Sequence, residues 1–412
     1  MKRRTFIKTL LSSTAALAGM GLWDGPLFFR TKSALAFSGK TLVVVFQRGG
    51  CDGLNLCVPF GDENYHLLRP TIAISPPGGN PGESTLDLDG FFGFHPRMSG
   101  LHALFKEGRL AVFPAVHYPN ASRSHFDSEV IIESGSDKKL YSGWLNRYLG
   151  ATGDEKSPLR AASISTSLVH ALKGEAPASV LDDLSSFGFG RGDFQQELRT
   201  RLRSALKGLV EGKRQNLGLL KREGLVMLDD LDLMEGLQRG GYQPENGASY
   251  PSGSFGRQLM LTARLIKAGL GLEIVCIDHG GWDTHSQQAS RQASRIEELS
   301  RGLSAFYADL GGLGTDVLTL TMTEFGRTAR ENGSRGTDHG NASCWMAMGG
   351  AVKGGIFGTW PGLAQDRLYL GRYLAYSIDF RNILAEVLTQ HLGFQDIPAV
   401  LPDFQASAIG FL

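Results

Sequence analysis

Four short apolar runs constrain the fold of this 412-residue chain more than any other feature: Thr41–Gln47, Leu110–Val116, Leu272–Ile277 and Val317–Met322. A continuous apolar run of this length, ending in glycine or polar residues, is what a strand buried on both faces requires. Helical patterns lie between the runs. Residues 286–310 carry Ile296, Leu299, Leu303 and Phe306 at three-to-four spacing and lead directly into the Val317 run. Repeated strand, helix, strand implies an α/β fold with a mostly parallel sheet and helices on both faces. Residues 37–412 are expected to form one large domain, interrupted at about 150–255 by an inserted helical region. Within it, 194–237 reads as helix with Phe194, Leu198, Leu202, Leu206 and Leu209 on one face. Its basic pairs, Lys213-Arg214 and Lys221-Arg222, alternate with acids as on a solvated face. Residues 240–254 read as a linker and 255–268 as the next helix.

The N-terminus has a different purpose. Arg3-Arg4 precede a diluted apolar stretch from Thr9 to Leu22, and Ser33-Ala34-Leu35-Ala36 supplies an A-x-A cleavage pattern. Residues 1–36 therefore read as a twin-arginine signal, too short in its apolar part to span as an ordinary membrane helix. The competing reading is a basic N-terminal helix or a retained anchor. The signal predicts a periplasmic or otherwise exported protein that meets the twin-arginine export machinery. No later stretch reaches about 18 continuous apolar residues, so no stable membrane span is expected in the mature chain.

Composition narrows the function classes. Hydrophobic residues at 42% and charged residues at 20% exclude a disordered chain and a multi-span membrane protein. The first 36 residues hold six basic side chains and one acid, so the remainder is slightly acidic and has no electrostatic reason to seek nucleic acid. Fifty-four glycines, about twice the usual share, point to a loop-rich functional face. Cys51, Cys57, Cys276 and Cys344 show no zinc-finger spacing. Cys51 and Cys57 could pair across a loop, and buried free thiols fit equally well.

In an open α/β sheet, ligands bind beyond the carboxyl ends of the strands. Asp52 follows the first run; Arg123, Ser124, His125 and Asp127 follow the second; Asp283 and His285 follow the third; Glu324 and Arg327 follow the fourth; Asp338 and His339 precede the apolar run Trp345–Met348. Carboxylates mixed with imidazoles at one edge suit a divalent cation. Taken singly, Asp283-x-His285 also describes a capping acid with a hydrogen-bonded histidine, and Glu324 an ion-pair partner of Arg327. Ser122 or Ser124 lies where a helix from about Phe126 would begin, beside N–H groups that stabilise anions. Ser124 is the preferred nucleophile, with His125 as a metal or phosphate contact and Arg123 as an oxyanion clamp. A plain helix N-cap is the alternative for either serine.

The ordered segments GGCDGLN, SRSHFD, GGWDTH, TEFGRT and GTDHGNA, with the N-terminal signal, resemble an exported bacterial family known as domain of unknown function 1501. The resemblance covers essentially the whole mature chain. That family is similar to the alkaline phosphatase and sulfatase superfamily, which implies a three-layer sandwich around a mostly parallel sheet. It also implies a metal site formed by Asp52, Asp283, His285, Glu324 and His339, with Asp338 beside it. The superfamily usually places an Asp-His pair directly at a strand end, whereas Glu324-Phe325 stands there and Asp338-His339 comes later. Zinc, manganese, iron or calcium are all compatible with these residue types. The expected function is a periplasmic metal-dependent hydrolase of phosphate or sulfate esters, on a small-molecule or polymer substrate, using a serine nucleophile. The alternative is an exported binding or assembly protein that keeps the fold without catalysis.

Overall fold

The computed structural model describes residues 39–80, 82–153, 158–182 and 241–412, with a few positions between 200 and 237. The chain divides into two units, and 37–154, 158–180 and 243–412 form the one treated below. The proposed signal and most of the 194–237 helix belong to the other unit and lie outside the described residues. The positions described there, such as Thr200, Ser204 and Leu237, are helical.

All four apolar runs form strands of one sheet. β1 is Thr41–Arg48, β2 Leu110–His117, β3 Ala161–Ser163, β4 Ser179–Val180, β5 Ile274–Gly280, β6 Val317–Met322, β7 Ser343–Gly349, β8 Gly355–Ile356 and β9 Ile378–Asp379. Their spatial order is β8-β2-β7-β6-β1-β5-β3-β4, with β9 also beside β2. Every pairing is parallel except those of β7 with β2 and β6. The sheet is thus mixed and mostly parallel, as expected. β3 and β4 fall inside the stretch expected to be a helical insertion. That expectation needs correcting for 158–180, because strands of three and two residues are too short to show a period.

Alternate side chains of β1 feed opposite layers, as the two-residue repeat of a strand dictates. Leu42, Val44 and Phe46 join a buried cluster with Trp144, Leu145, Trp345, Phe380 and Phe411. This layer is built by α2 (His125–Ser134), α3 (Trp144–Ala151) and α6 (Phe380–Glu386). On the opposite face, α4 (Ser254–Lys267) stacks Phe255 on His279 of β5, with ring centroids 4.3 Å apart. α5 (Gln288–Leu310) buries Ile296, Leu299, Leu303 and Phe306, the stripe read from the sequence, and α1 (Ser99–Lys106) completes this layer. Full burial of each such side chain contributes about 1.5–3 kcal/mol. Among the described residues no helix is long and apolar enough to cross a membrane. All four cysteines are buried free thiols, so Cys51 and Cys57 are not paired.

Because β1, β2, β5 and β6 run parallel, their carboxyl ends share one edge of the sheet, and antiparallel β7 begins there. α2 starts at this edge and stops at Gly135, whose φ of 59° provides a left-handed cap. α5 starts where the N–H groups of Gln287 and Gln288 donate to Ser334 and Arg335 carbonyls, tying the 285 loop to the 334–339 loop.

Candidate metal centre

Two glycines let these loops meet. A Cβ on Gly336 would lie 2.4 Å from the His285 carbonyl carbon, and one on Gly340 would lie 2.2 Å from that of Arg327. Only hydrogen at both positions allows the Asp338-His339 segment to press against the loops after β5 and β6. Arg327, fully buried, joins the same loops: it donates to the carbonyls of Gly50 (2.7 Å) and Thr337 (3.2 Å) and to the Asp283 carboxylate. Its acid partner is therefore Asp283 and not Glu324.

The outcome is a tight convergence of His125, His285, His339 and Asp283. His339 Nε2 lies 2.9 Å from His125 Nε2 and 3.0 Å from His285 Nε2. Asp283 Oδ1 lies 3.0 Å from His285 Nε2, 3.5 Å from His339 Nε2 and 3.8 Å from His125 Nε2. Each ring is gripped from behind at Nδ1: His125 by Glu324 Oε1 at 2.7 Å, His285 by Asp338 Oδ1 at 3.1 Å, and His339 by the Arg123 carbonyl at 2.9 Å. A carboxylate or carbonyl oxygen only accepts, so each Nδ1 must carry the proton that is donated. In the neutral rings every Nε2 then presents a lone pair toward its neighbours and toward an anionic oxygen. Such a set is repulsive unless a cation lies among them, either a proton on one ring or a metal ion.

The donor set fits a metal ion. Ligands at about 2.0–2.1 Å in a tetrahedron are about 3.3 Å apart; the separations among His125, Asp283 and His339 run from 2.9 to 3.8 Å, whereas His285 Nε2 is near Asp283 and His339 only. His125, Asp283 and His339 alone place ligand atoms within 4.8 Å of one another. Phe325 walls the site, its ring 4.8 Å from that of His125 and 5.0 Å from that of His339. The opposite side is open, with the side chains of Asp283 and His285 nearly half exposed. The hydrogen bond and charge of Glu324 raise the His125 pKa against the effect of burial. Burial lowers that of His339, and the charges of His125 and Arg327 add to this. Burial alone would raise Asp283, but the hydrogen bond and charge of Arg327, with His285 and His125, outweigh it and hold the carboxyl below its usual range.

Three residues expected as ligands are placed otherwise. Asp52 is buried, and both its oxygens are taken by Arg69, Nη1 at 2.5 Å and Nη2 at 3.0 Å, with Gln288 Nε2 also on Oδ2. Buried against an arginine and a glutamine, and in no contact with the histidines, Asp52 acts as a structural anchor. Glu324, fully buried, accepts from Gly49 N and Thr323 Oγ1 as well as His125, and it orients that ring. Asp338 likewise holds His285, and its other oxygen accepts from Arg372 at 3.1 Å. Sequence reading passed over Arg69, Gln288 and Arg372, which carry no local motif.

The nucleophile segment is adjacent. Ser124 is the N-cap of α2 and its hydroxyl makes no capping bond, whereas Ser122 Oγ accepts from the Ser124 amide at 3.1 Å. The Arg123 guanidinium rests 4.8 Å from the centroid of the Tyr373 ring and has no carboxylate partner among the described residues.

No curated protein matches this chain in sequence. In structure it is similar to the lipoteichoic acid synthase LtaP from Listeria monocytogenes, at 9% identity over 93% of this chain and 78% of that one, with a TM-score of 0.39. It is also similar to an alkaline phosphatase from the Antarctic bacterium TAB5, at 10% identity over 86% of this chain and 99% of that one, with a TM-score of 0.33. Similarity at this level carries no functional inference. The family described as "Protein of unknown function (DUF1501)" matches residues 39–401, and the chain belongs to that family.

Proposed function

We propose that this protein is an exported, metal-dependent hydrolase of phosphate or sulfate esters, holding one divalent ion between His125, Asp283 and His339, with the half-exposed His285 turning in as a fourth ligand. The observation that carries this reading is the convergence of three Nε2 lone pairs and one carboxylate oxygen, each ring fixed at Nδ1 by an acceptor. Three nitrogens and one oxygen suit a borderline ion such as zinc, with manganese or iron next, better than calcium, which takes oxygen ligands. Such an ion supplies positive charge that polarises the ester and stabilises the charge developing on it.

The chain's own residues would do the remaining work. Ser124, one residue from His125 and at the positive end of α2, carries the hydroxyl that would attack phosphorus or sulfur, forming a seryl ester as the bond to the substrate's alcohol oxygen breaks; the hydroxyl proton leaves with the departing alcohol, and water then hydrolyses the seryl ester. Arg123 has an uncommitted guanidinium to steady the non-bridging oxygens. Its carbonyl simultaneously orients His339, so one tripeptide links ligand geometry to substrate binding. The non-catalytic alternative draws on the loss of Asp52 from the cluster, which leaves a single carboxylate among the candidate ligands.

Elemental analysis of chelator-free protein tests the site. About one divalent ion per chain is expected, with loss in His339→Ala and retention in Ser124→Ala, while turnover of an aryl phosphate or sulfate disappears in both. Metal-free wild-type protein, shown to be folded, would sink the metal reading. Metal without any Ser124-dependent turnover would favour the binding protein.

A further inference from the structure

Residues 369–373 close a tight turn beside the histidine cluster. Tyr369 and Tyr373 exchange backbone hydrogen bonds of 2.8 and 3.0 Å, and Leu370 and Gly371 between them are left-handed, with φ of 52° and 64°. Glycine takes that conformation freely, whereas a leucine is strained by it. The Leu370 side chain is 67% exposed, so its own packing does not explain the strain. What the turn does is present Arg372 and Tyr373 to the loop that carries Asp338. Thr328 joins the two segments: its backbone bridges to Tyr373, its amide donates to the Asp338 carbonyl at 2.9 Å, and the Ala329 amide donates to the Arg372 carbonyl at 3.2 Å.

Tyr373 is buried, and two guanidiniums meet its ring, Arg123 at 4.8 Å and Arg372 at 5.7 Å from the centroid. Each arginine also holds one histidine of the cluster. The Arg123 carbonyl accepts from His339 Nδ1 at 2.9 Å. Arg372 Nη2 donates to Asp338 Oδ2 at 3.1 Å, and Asp338 Oδ1 accepts from His285 Nδ1 at 3.1 Å. The side chains of Arg372 and Asp338 are 56% and 43% exposed, and an ion pair so solvated is weak because two mobile side chains must be ordered to make it. A ring within about 6 Å of a cation attracts it and restricts its motion. Unlike a carboxylate, the ring leaves the charge of Arg123 unneutralised, so that arginine can still receive an oxyanion.

We propose that Tyr373 is a positioning residue: by holding Arg123 and Arg372 on one ring it fixes the orientation of His339 and His285 and keeps the Arg123 guanidinium beside Ser124 for the substrate's oxyanion. This rests on the metal-site reading above, in which those two imidazoles are ligands. Support for two ligands and for the anion contact then shares one side chain that is itself outside the ligand set. A change at 373 therefore weakens metal and anion binding together.

The test compares Tyr373→Phe, which keeps the ring, with Tyr373→Leu, which keeps apolar bulk without an aromatic face; Tyr373→Met replaces the leucine variant if that one does not fold. Metal affinity is read by competition with a chelator, and binding of inorganic phosphate to metal-saturated protein by calorimetry. Tyr373→Leu should weaken each by about fivefold, the size of one cation–π contact, while Tyr373→Phe stays within about twofold of wild type. The effect on phosphate passes through Arg123, so in an Arg123→Ala background Tyr373→Leu should change phosphate affinity no further. Equal losses in the phenylalanine and leucine variants, no loss in either, or full additivity with Arg123→Ala would overturn the proposal. Folded wild-type protein that holds no metal would overturn the metal reading; phosphate binding that then still falls in Tyr373→Leu and survives in Tyr373→Phe would leave the hold of Tyr373 on Arg123 standing, and phosphate binding indifferent to both would overturn that too.

Discussion

Asp52 and Asp283 invite comparison, because each follows the carboxyl end of a buried parallel strand and each has an arginine against its carboxylate. Asp52 is 1% exposed and meets Arg69 through both oxygens, with Gln288 adding a further donor. Asp283 has a side chain 46% exposed, meets Arg327 through one oxygen, and faces three imidazoles. The difference teaches that an acid's place at a strand end does not make it a ligand. What decides is what the carboxylate faces. Asp52 is enclosed by an arginine and a glutamine and holds the loop together, whereas Asp283 shares its oxygen with one arginine and faces imidazoles that can hold a cation with it.

The sharpest way to break this comparison is Asp52→Ala. It strands the buried Arg69 guanidinium, and removal of one partner from a buried pair costs about 3–5 kcal/mol. Denaturant unfolding should show that loss, while the metal content of the folded fraction stays at the wild-type level. Loss of metal with little change in stability would reverse the assignments of the two acids. A smaller effect is expected from Glu324→Gln. The amide keeps an oxygen for some of the donors but gives up the negative charge that holds the His125 Nδ1 proton. Loss of a partner that orients a ligating histidine typically weakens metal binding by about 10–100-fold, measurable by competition with a chelator. Complete loss of metal would instead place Glu324 on the ion. The least costly change to the fold is His285→Ala. Its ring is nearly half exposed and its acid partners are solvated, so metal-free stability should move by less than about 1 kcal/mol. Metal affinity should nevertheless fall steeply, and an unaffected affinity would confine the site to His125, Asp283 and His339.

Legibility in the sequence followed the range of the interaction. The runs 41–47, 110–116, 272–277 and 317–322 became β1, β2, β5 and β6, since hydrophobic periodicity and length are local properties. The stripe from Ile296 to Phe306 became the buried face of α5 for the same reason. β3 and β4 escaped because Ala-Ala-Ser and Ser-Val are too short to carry a period. At the site, Asp283, His285 and His339 were expected beside one another and are so placed, with His125 joining them. The roles of Asp52, Glu324 and Asp338 were not legible, nor was the partner of Arg327. Each of these depends on donors remote in sequence: Gln288 reaches Asp52 across 236 residues, and Gly49 reaches Glu324 across 275.

By itself the sequence determined a mostly parallel sheet, the edge on which its acids, histidines and glycines gather, and residue types suited to a cation. These follow from apolar patterning and from the rule that parallel strands end together. The tertiary structure alone decided which side chains face the common centre and which stand behind them as supports. A carboxylate's role is set by the groups it faces, and those groups arrive only when distant loops close on one another.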